Sequence, residues 1–255
     1  QGEVVRARYG LTAALPWFRA ALARDPRYPP ALAEMAATLG DLGRYSEMLT
    51  ATRRLLAARP GDARALYVQA VLALRADKPE LARDLLQAAG GALWALPGAQ
   101  LLDGAIDYRA GRFEQAAAKW RRLAADQPLS ITVRRLLASA MLKADDAPAA
   151  LEAIRPVALR ADADPYALTV AADGFAAAGD AVTAARWRDP VGVAGGVGGA
   201  FALDRPLASL RAEAAEAPGD PSYQLGIIRG LIGAGQAEGA VAVARTLASQ
   251  SPGSP

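Results

Sequence analysis

The chain has 255 residues, a formal net charge of +3, and 53% apolar residues of which few are aromatic. It contains no cysteine, no histidine and no asparagine, which excludes disulfide frameworks, cysteine–histidine zinc sites and any nucleophile–histidine triad. Alanine makes up about a quarter of the chain and threonine and isoleucine are scarce, a composition that favours helices over sheets.

The basic residues are scattered. The only lysines are Lys78, Lys119 and Lys143, and the arginines occur at most as pairs such as Arg53-Arg54, Arg121-Arg122 and Arg134-Arg135. A nucleic-acid binder concentrates its charge on one face, so no nucleic-acid partner is expected. No stretch approaches eighteen apolar residues without a charge, so no transmembrane segment is expected.

Taken in chain order, one period dominates. Gly43, Gly111 and Gly179 are spaced by 68 residues, and the half-way positions are Asp77 and Asp145, also turn formers. Pro26, Pro60 and Pro128 are separated by 34 and 68, and Pro218 and Pro252 by 34. An amphipathic stretch lies between each turn residue and the next proline. Gly43-Arg44-Tyr45 opens one, Gly111-Arg112-Phe113 a second, and Gly179-Asp180-Ala181 and Gly235-Gln236-Ala237 weaker ones. A fixed period of this length marks stacked helical units rather than one globular core. Proline just past a helix stops it.

The residues at these spacings resemble the tetratricopeptide repeat (TPR) family, whose unit reads W-x2-L-G-x2-Y, A-x3-F, then P. Ala14, Phe18, Ala21 and Pro26 fit a second half-unit, so the chain is expected to begin inside a repeat as part of a longer array. Leu32, Met35, Ala36 and Leu39 open the next. Ala116, Trp120, Leu123 and Pro128 make the clearest second half, and Leu137, Ala138, Met141, Ala150 and Ile154 follow. Leu168, Ala171, Ala172 and Phe175 open another, and Ile227, Ile228, Leu231, Gly235, Ala240, Leu247 and Pro252 make a last unit. The resemblance implies an all-α, right-handed superhelical solenoid of antiparallel helix pairs. Its repeats fall at about 27–60, 61–96, 97–128, 129–163 and 164–188, after a partial one ending at 26. Aromatic and methionine side chains, among them Phe18, Tyr45, Phe113 and Trp120, are expected to fill the core between units.

The period slips after Gly179, because the next turn glycine is Gly235. Residues 189–204 carry five glycines and are expected to form an irregular loop. A single helix of a degenerate repeat follows at 205–218, then a further unit and a truncated continuation over 219–255. The glycines at 192–199 match neither phosphate-binding pattern and precede no lysine. Pro97 arrives about three residues late, so the repeat before it is expected to have a longer exit loop. Beyond it, Asp103 and Asp107 share one helix face at positions that the pattern makes apolar. They read either as a carboxylate pair or, with the helix rotated to bury Leu101, Ala105 and Tyr108, as a solvated pair. The rotated or solvated arrangement is expected.

The family resemblance implies that first-helix residues facing the concave groove hold a segment of a partner protein. Carried onto this sequence, these are Arg64, Tyr67, Val71, Leu74 and Arg75, then Leu101, Ala105, Tyr108 and Arg109, then Thr132, Arg135, Ser139, Leu142 and Lys143. The charged members, Arg64, Arg75, Arg109, Arg135 and Lys143, are all basic, so the expected partner is a protein or peptide carrying carboxylates, with Tyr67 and Tyr108 as anchors; the alternative is a row of solvated arginines. The family's clamps for chaperone C-termini use asparagines, which this chain lacks. A non-catalytic, cofactor-free interaction scaffold is therefore expected; the alternative is the repeat arm of a larger enzyme such as a glycosyltransferase. In its alanine and arginine richness the chain is similar to TPR proteins that bacteria place in the cell envelope, and the envelope or periplasm is expected ahead of the cytoplasm, with which the absence of cysteine is equally compatible.

Overall fold

A computed structural model describes residues 2–160, 163–188 and 206–250. The glycine-rich loop expected at 189–204 lies outside the described residues. Among those described are fifteen α-helices and no strand. The helices fall into two compact units, Gln1–Gly111 and Arg112–Pro255.

The first unit contains α1 (Gly2–Tyr9), α2 (Leu11–Arg24), α3 (Pro29–Asp41), α4 (Tyr45–Ala58), α5 (Ala63–Arg75), α6 (Pro79–Ala89) and α7 (Pro97–Arg109). Each packs on its neighbour in sequence, and α7 also touches α5. Three apolar clusters run through it. Leu15, Leu39, Met48 and Ala51 form one, Leu22, Leu32, Leu55 and Ala65 the next, and Ala70, Leu86, Leu102 and Ile106 the third. Every cluster draws on helices from more than one pair, because a single amphipathic pair cannot cover its own apolar face. Ala14, Ala51, Ala70 and Ala82 are wholly buried; at these points a methyl is the whole side chain, and helices approach closely.

The second unit contains α8 (Phe113–Asp126), α9 (Ile131–Lys143), α10 (Ala147–Ala158), α11 (Pro165–Ala177), α12 (Ala181–Arg188), α13 (Leu207–Glu216), α14 (Pro221–Gly233) and α15 (Ala237–Gln250). Helices α8 to α12 pack in sequence, as do α13 to α15. Helix α14 also packs on α10, and Leu159 shares a core cluster with Leu210, Ile227 and Leu231.

The turns explain the period. Gly43, Asp77, Gly111, Asp145, Gly179 and Gly235 all have positive φ, between 57° and 86°. The first five are 34 residues apart, and each follows the first helix of a pair. The residue after the turn donates its N–H to a carbonyl five residues back: Arg44 to Leu39, Lys78 to Ala73, Asp146 to Met141, Asp180 to Phe175 and Gln236 to Leu231, at 2.8–2.9 Å. This left-handed closure satisfies carbonyls that the helix end would orphan. Glycine takes that conformation freely, whereas Asp77 and Asp145 carry a Cβ that opposes it.

Aspartates start the helices. Asp62, Asp146, Asp164 and Asp220 each accept a backbone N–H from the following turn. Such caps typically contribute about 1 kcal/mol each. Asp180 does the same to Thr183, and hydrogen bonding to Thr183 holds its carboxyl below the ordinary aspartate range. Pro26, Pro60, Pro128 and Pro218 stand two residues past a helix end.

The exit from α6 is long, as the late Pro97 leads one to expect: that helix ends at Ala89, a short 3-10 turn spans Gly91–Ala95, and Pro97 opens α7. Proline is well suited to that first position, where no N–H is needed. One sequence expectation is corrected: the aromatic residues are not all core. Trp120 and Phe18 are buried, but Tyr45, Trp17, Tyr28 and Tyr166 are between 38% and 50% exposed.

Asp145→Gly should raise unfolding stability by about 1 kcal/mol by relieving its left-handed backbone. Asp77→Gly should gain less, since it also removes an exposed ion pair with Arg109. Gly43→Ala should lose about 1 kcal/mol. Urea unfolding followed by circular dichroism measures all three, and an unchanged or lower midpoint for Asp145→Gly would contradict the strain.

Candidate functional site

The first helices of the pairs carry the candidate binding residues, and the structure gives most of them a partner. In the first unit, Arg64 on α5 lies 3.9 Å from Glu34 on α3, which Arg6 also approaches at 3.1 Å. Arg75, at the end of α5, sits 4.2 Å above the ring of Tyr45. Arg109, at the end of α7, is 3.8 Å from Asp77. Tyr67 is half-buried against the third apolar cluster, and burial raises the pKa of its phenol. Its hydroxyl rests against Gly98, where a Cβ would stand 3.1 Å away. Tyr108 is half-buried too. Arg64 and Arg75 lie at opposite ends of α5 and share no partner.

In the second unit the candidates converge. Arg135 on α9 stacks 4.4 Å from the Tyr166 ring and lies 3.3 Å from the Asp164 carboxylate. Ser139, one turn on, is 3.1 Å from the Tyr166 hydroxyl. Asp164 meanwhile caps α11 by accepting from the N–H groups of Tyr166 and Ala167. One cation, one ring and two hydroxyls are thus gathered between α9 and α11. Lys143 stands exposed at the end of α9, a turn beyond Ser139.

Tyr166, Asp164, Tyr45 and Glu34 were not candidates from the sequence. Asp164-Pro165 is a helix-start signal that could have placed Asp164 at the turn. The stacking of Tyr166 on Arg135 has no sequence signal, because the two residues meet only when α9 and α11 are packed. Exposed ion pairs of this kind contribute about 0–1 kcal/mol and exposed cation–π contacts about 0.5–1 kcal/mol. Partner groups can therefore displace them at small cost.

The carboxylates of α7 behave differently from the expected rotation. Ala99, Leu102 and Ile106 face the core, and Leu101, Ala105 and Tyr108 are only half-buried. Asp107 is 3% exposed. Its carboxylate receives Arg83 of α6 at 2.6 Å, and Asp103 lies 4.0 Å from the same guanidinium. The pair is therefore an ion-paired element of the core rather than a solvated one. Arg83, arriving from the neighbouring helix, supplies the positive charge that lets a carboxylate be buried. Among the described residues, no three carboxylates are grouped to hold a metal ion, and no helix is long and apolar enough to cross a membrane.

No family model matches the sequence, and no curated protein matches it. Solved structures do. A tetratricopeptide repeat protein from Parabacteroides merdae aligns with a TM-score of 0.55 at 17% identity, over 73% of this chain and 73% of that one. The MamA RS-1 ArsTM double mutant aligns with a TM-score of 0.53 at 22% identity, over 61% of this chain and 87% of that one. The fold is the helical-repeat fold of TPR proteins.

Asp107→Ala should cost about 2 kcal/mol, because it removes the short charged contact of Arg83 and leaves that guanidinium only its longer ones with Glu80 and Asp103. Asp103→Ala, whose contact with Arg83 is longer, should cost less than about 1 kcal/mol. Chemical unfolding of the two variants checks this order, and equal losses would refute the buried pair.

Proposed function

We propose that the chain is a non-catalytic scaffold that holds segments of partner proteins on the first-helix faces of its repeats. The TPR fold supports a protein-interaction role in general; the assignment to these faces rests on the Arg135 cluster. There a guanidinium is held over the Tyr166 ring with Ser139 beside it. Its contact with Asp164 is half-exposed, so an incoming carboxylate can exchange with that of Asp164 at little cost. Asp164 retains its backbone N–H bonds during the exchange. Arginine's planar fork suits bidentate carboxylate recognition, and the Tyr166 ring offers an apolar anchor.

In the first unit, Arg64, Tyr67, Arg75, Tyr108 and Arg109 would serve the same class of partner. In the second, Arg135, Ser139 and Lys143 would do so. Arg75 and Arg109 have only exposed contacts, and the exposed Arg64 reaches the half-buried Glu34 only at 3.9 Å, so none is structurally committed. The preferred partner is an extended or helical segment with carboxylates spaced along an aromatic or aliphatic anchor.

The test is affinity capture with the full chain, followed by remeasurement of each captured protein on an Arg75→Glu/Arg109→Glu/Arg135→Glu variant. We expect at least about tenfold weaker binding of the same partner, the equivalent of 1.4 kcal/mol, with an unchanged helical spectrum. Undiminished binding would move the site off these faces.

A further inference from the structure

The repeat contains its own example of an occupied groove. In the first unit a groove of about 360 Å³ runs between the second helices α2 and α4, over the intervening α3. In the second unit a groove of about 440 Å³ runs between α8 and α10, over α9. The two are one feature displaced by 102 residues, three periods of 34. Eight of the ten residues lining the first have their counterpart at that offset in the second. Arg19 becomes Arg121, Met35 becomes Leu137, Leu39 becomes Met141 and Ala51 becomes Ala153.

The grooves differ in what lies in them. Gly219 and Asp220, at the start of α14, line the second groove and have no counterpart in the first, and neither has Arg134 of α9, whose charge interacts with Asp220 and whose position is Leu32 in the first unit. Asp220 caps α14 by accepting from Ser222 at 2.8 Å and forms an ion pair with Arg155 of α10. Tyr223, three residues on, lies 5.7 Å from the Arg155 guanidinium. At the same offset, Arg155 corresponds to Arg53. Arg53 and Arg19 are exposed, and neither makes a side-chain hydrogen bond or ion pair among the described residues. Arg54 beside them donates to the Pro26 carbonyl, and Glu47 on the rim is taken by Arg44 at 2.6 Å. The first groove therefore keeps an apolar floor of Leu15, Met35 and Leu39 and the counterpart of Arg155, the cation ion-paired with Asp220, while lacking the acidic helix start and the second cation, Arg134.

We propose that the groove between α2 and α4 docks the N-terminus of a partner protein's helix that is capped by an acidic residue and carries an aromatic side chain three positions later. The capping carboxylate pairs with Arg53 and Arg19, its remaining oxygen stays on the partner's own helix N–H, and the aromatic ring packs beside the Arg53 guanidinium. The charged side chains of this surface belong to the second helices of the pairs, and none of them is among the first-helix candidates above, so it can fail or succeed independently of them.

The probe is a peptide of this chain's own residues 217–229, N-acetylated and fluorescently labelled, titrated into the full chain. We expect saturable binding that weakens at least about tenfold, or 1.4 kcal/mol, with Arg19→Glu/Arg53→Glu, and equally when the peptide carries Asp220→Asn. Arg121→Glu, in the filled groove, should leave binding unchanged. The Arg75→Glu/Arg109→Glu/Arg135→Glu variant should also bind the peptide normally. Absence of saturable binding, or binding indifferent to Arg19 and Arg53, would overturn the proposal. So would loss at Arg121 alone, which would show the peptide competing for the filled groove. Self-association of the chain that Arg19→Glu/Arg53→Glu abolishes would assign the groove to a second copy, and would equally overturn it.

Discussion

The left-handed residue that ends each first helix is the constraint from which the rest of the architecture follows. It reverses the chain within two residues while satisfying the last carbonyls of the helix. Because the same closure recurs at Gly43, Asp77, Asp145 and Gly179, successive pairs begin from the same local geometry. Apolar faces then fall in equivalent places, and alanines at the crossing points allow the helices to approach. A groove between second helices recurs for the same reason, with its floor and its arginines repeated at the period.

Charge is distributed over this frame at two levels of commitment. Arg83 and Asp107 are held together near the core, where removing either charge takes from the other a close, charged partner in a weakly polar setting. Such a pair contributes little net stability compared with well-packed apolar residues, but it penalises any register of α6 on α7 that separates the charges. Arg64, Arg75, Arg109 and Arg135 are at the other level, touching partly or fully exposed acids and ring faces from which water can displace them. Those side chains are oriented without being consumed by the fold, which suits a surface that exchanges internal contacts for those of a partner.

Much of the fold was legible from local sequence. The turn positions were readable even where aspartate replaces glycine, since both residue types tolerate positive φ better than most. The stop prolines were readable because proline cannot continue a helix. Legibility failed where a residue's role depends on a neighbouring helix. The late Pro97 announced a long exit from α6, but no local signal told that a 3-10 turn fills it. Asp103 and Asp107 were visible as anomalies, but Arg83 lies on the preceding helix and no spacing rule ties it to them. Among the site residues, Arg135 and Ser139 were named from the repeat pattern, whereas the Tyr166 ring that joins them was assigned to the core.

The period, the helical class, the turns and the excluded chemistries came from the chain read by itself, because each is set by backbone sterics or by residue types that are simply missing. Which arginines are paired, which aromatics face solvent and which of two equivalent grooves is filled were settled only by packing. Arg155 and Asp220 are 65 residues apart, and no local preference connects them. They meet because α14 packs on α10, and that contact gives one groove an occupant while the matching arginines of the other remain open.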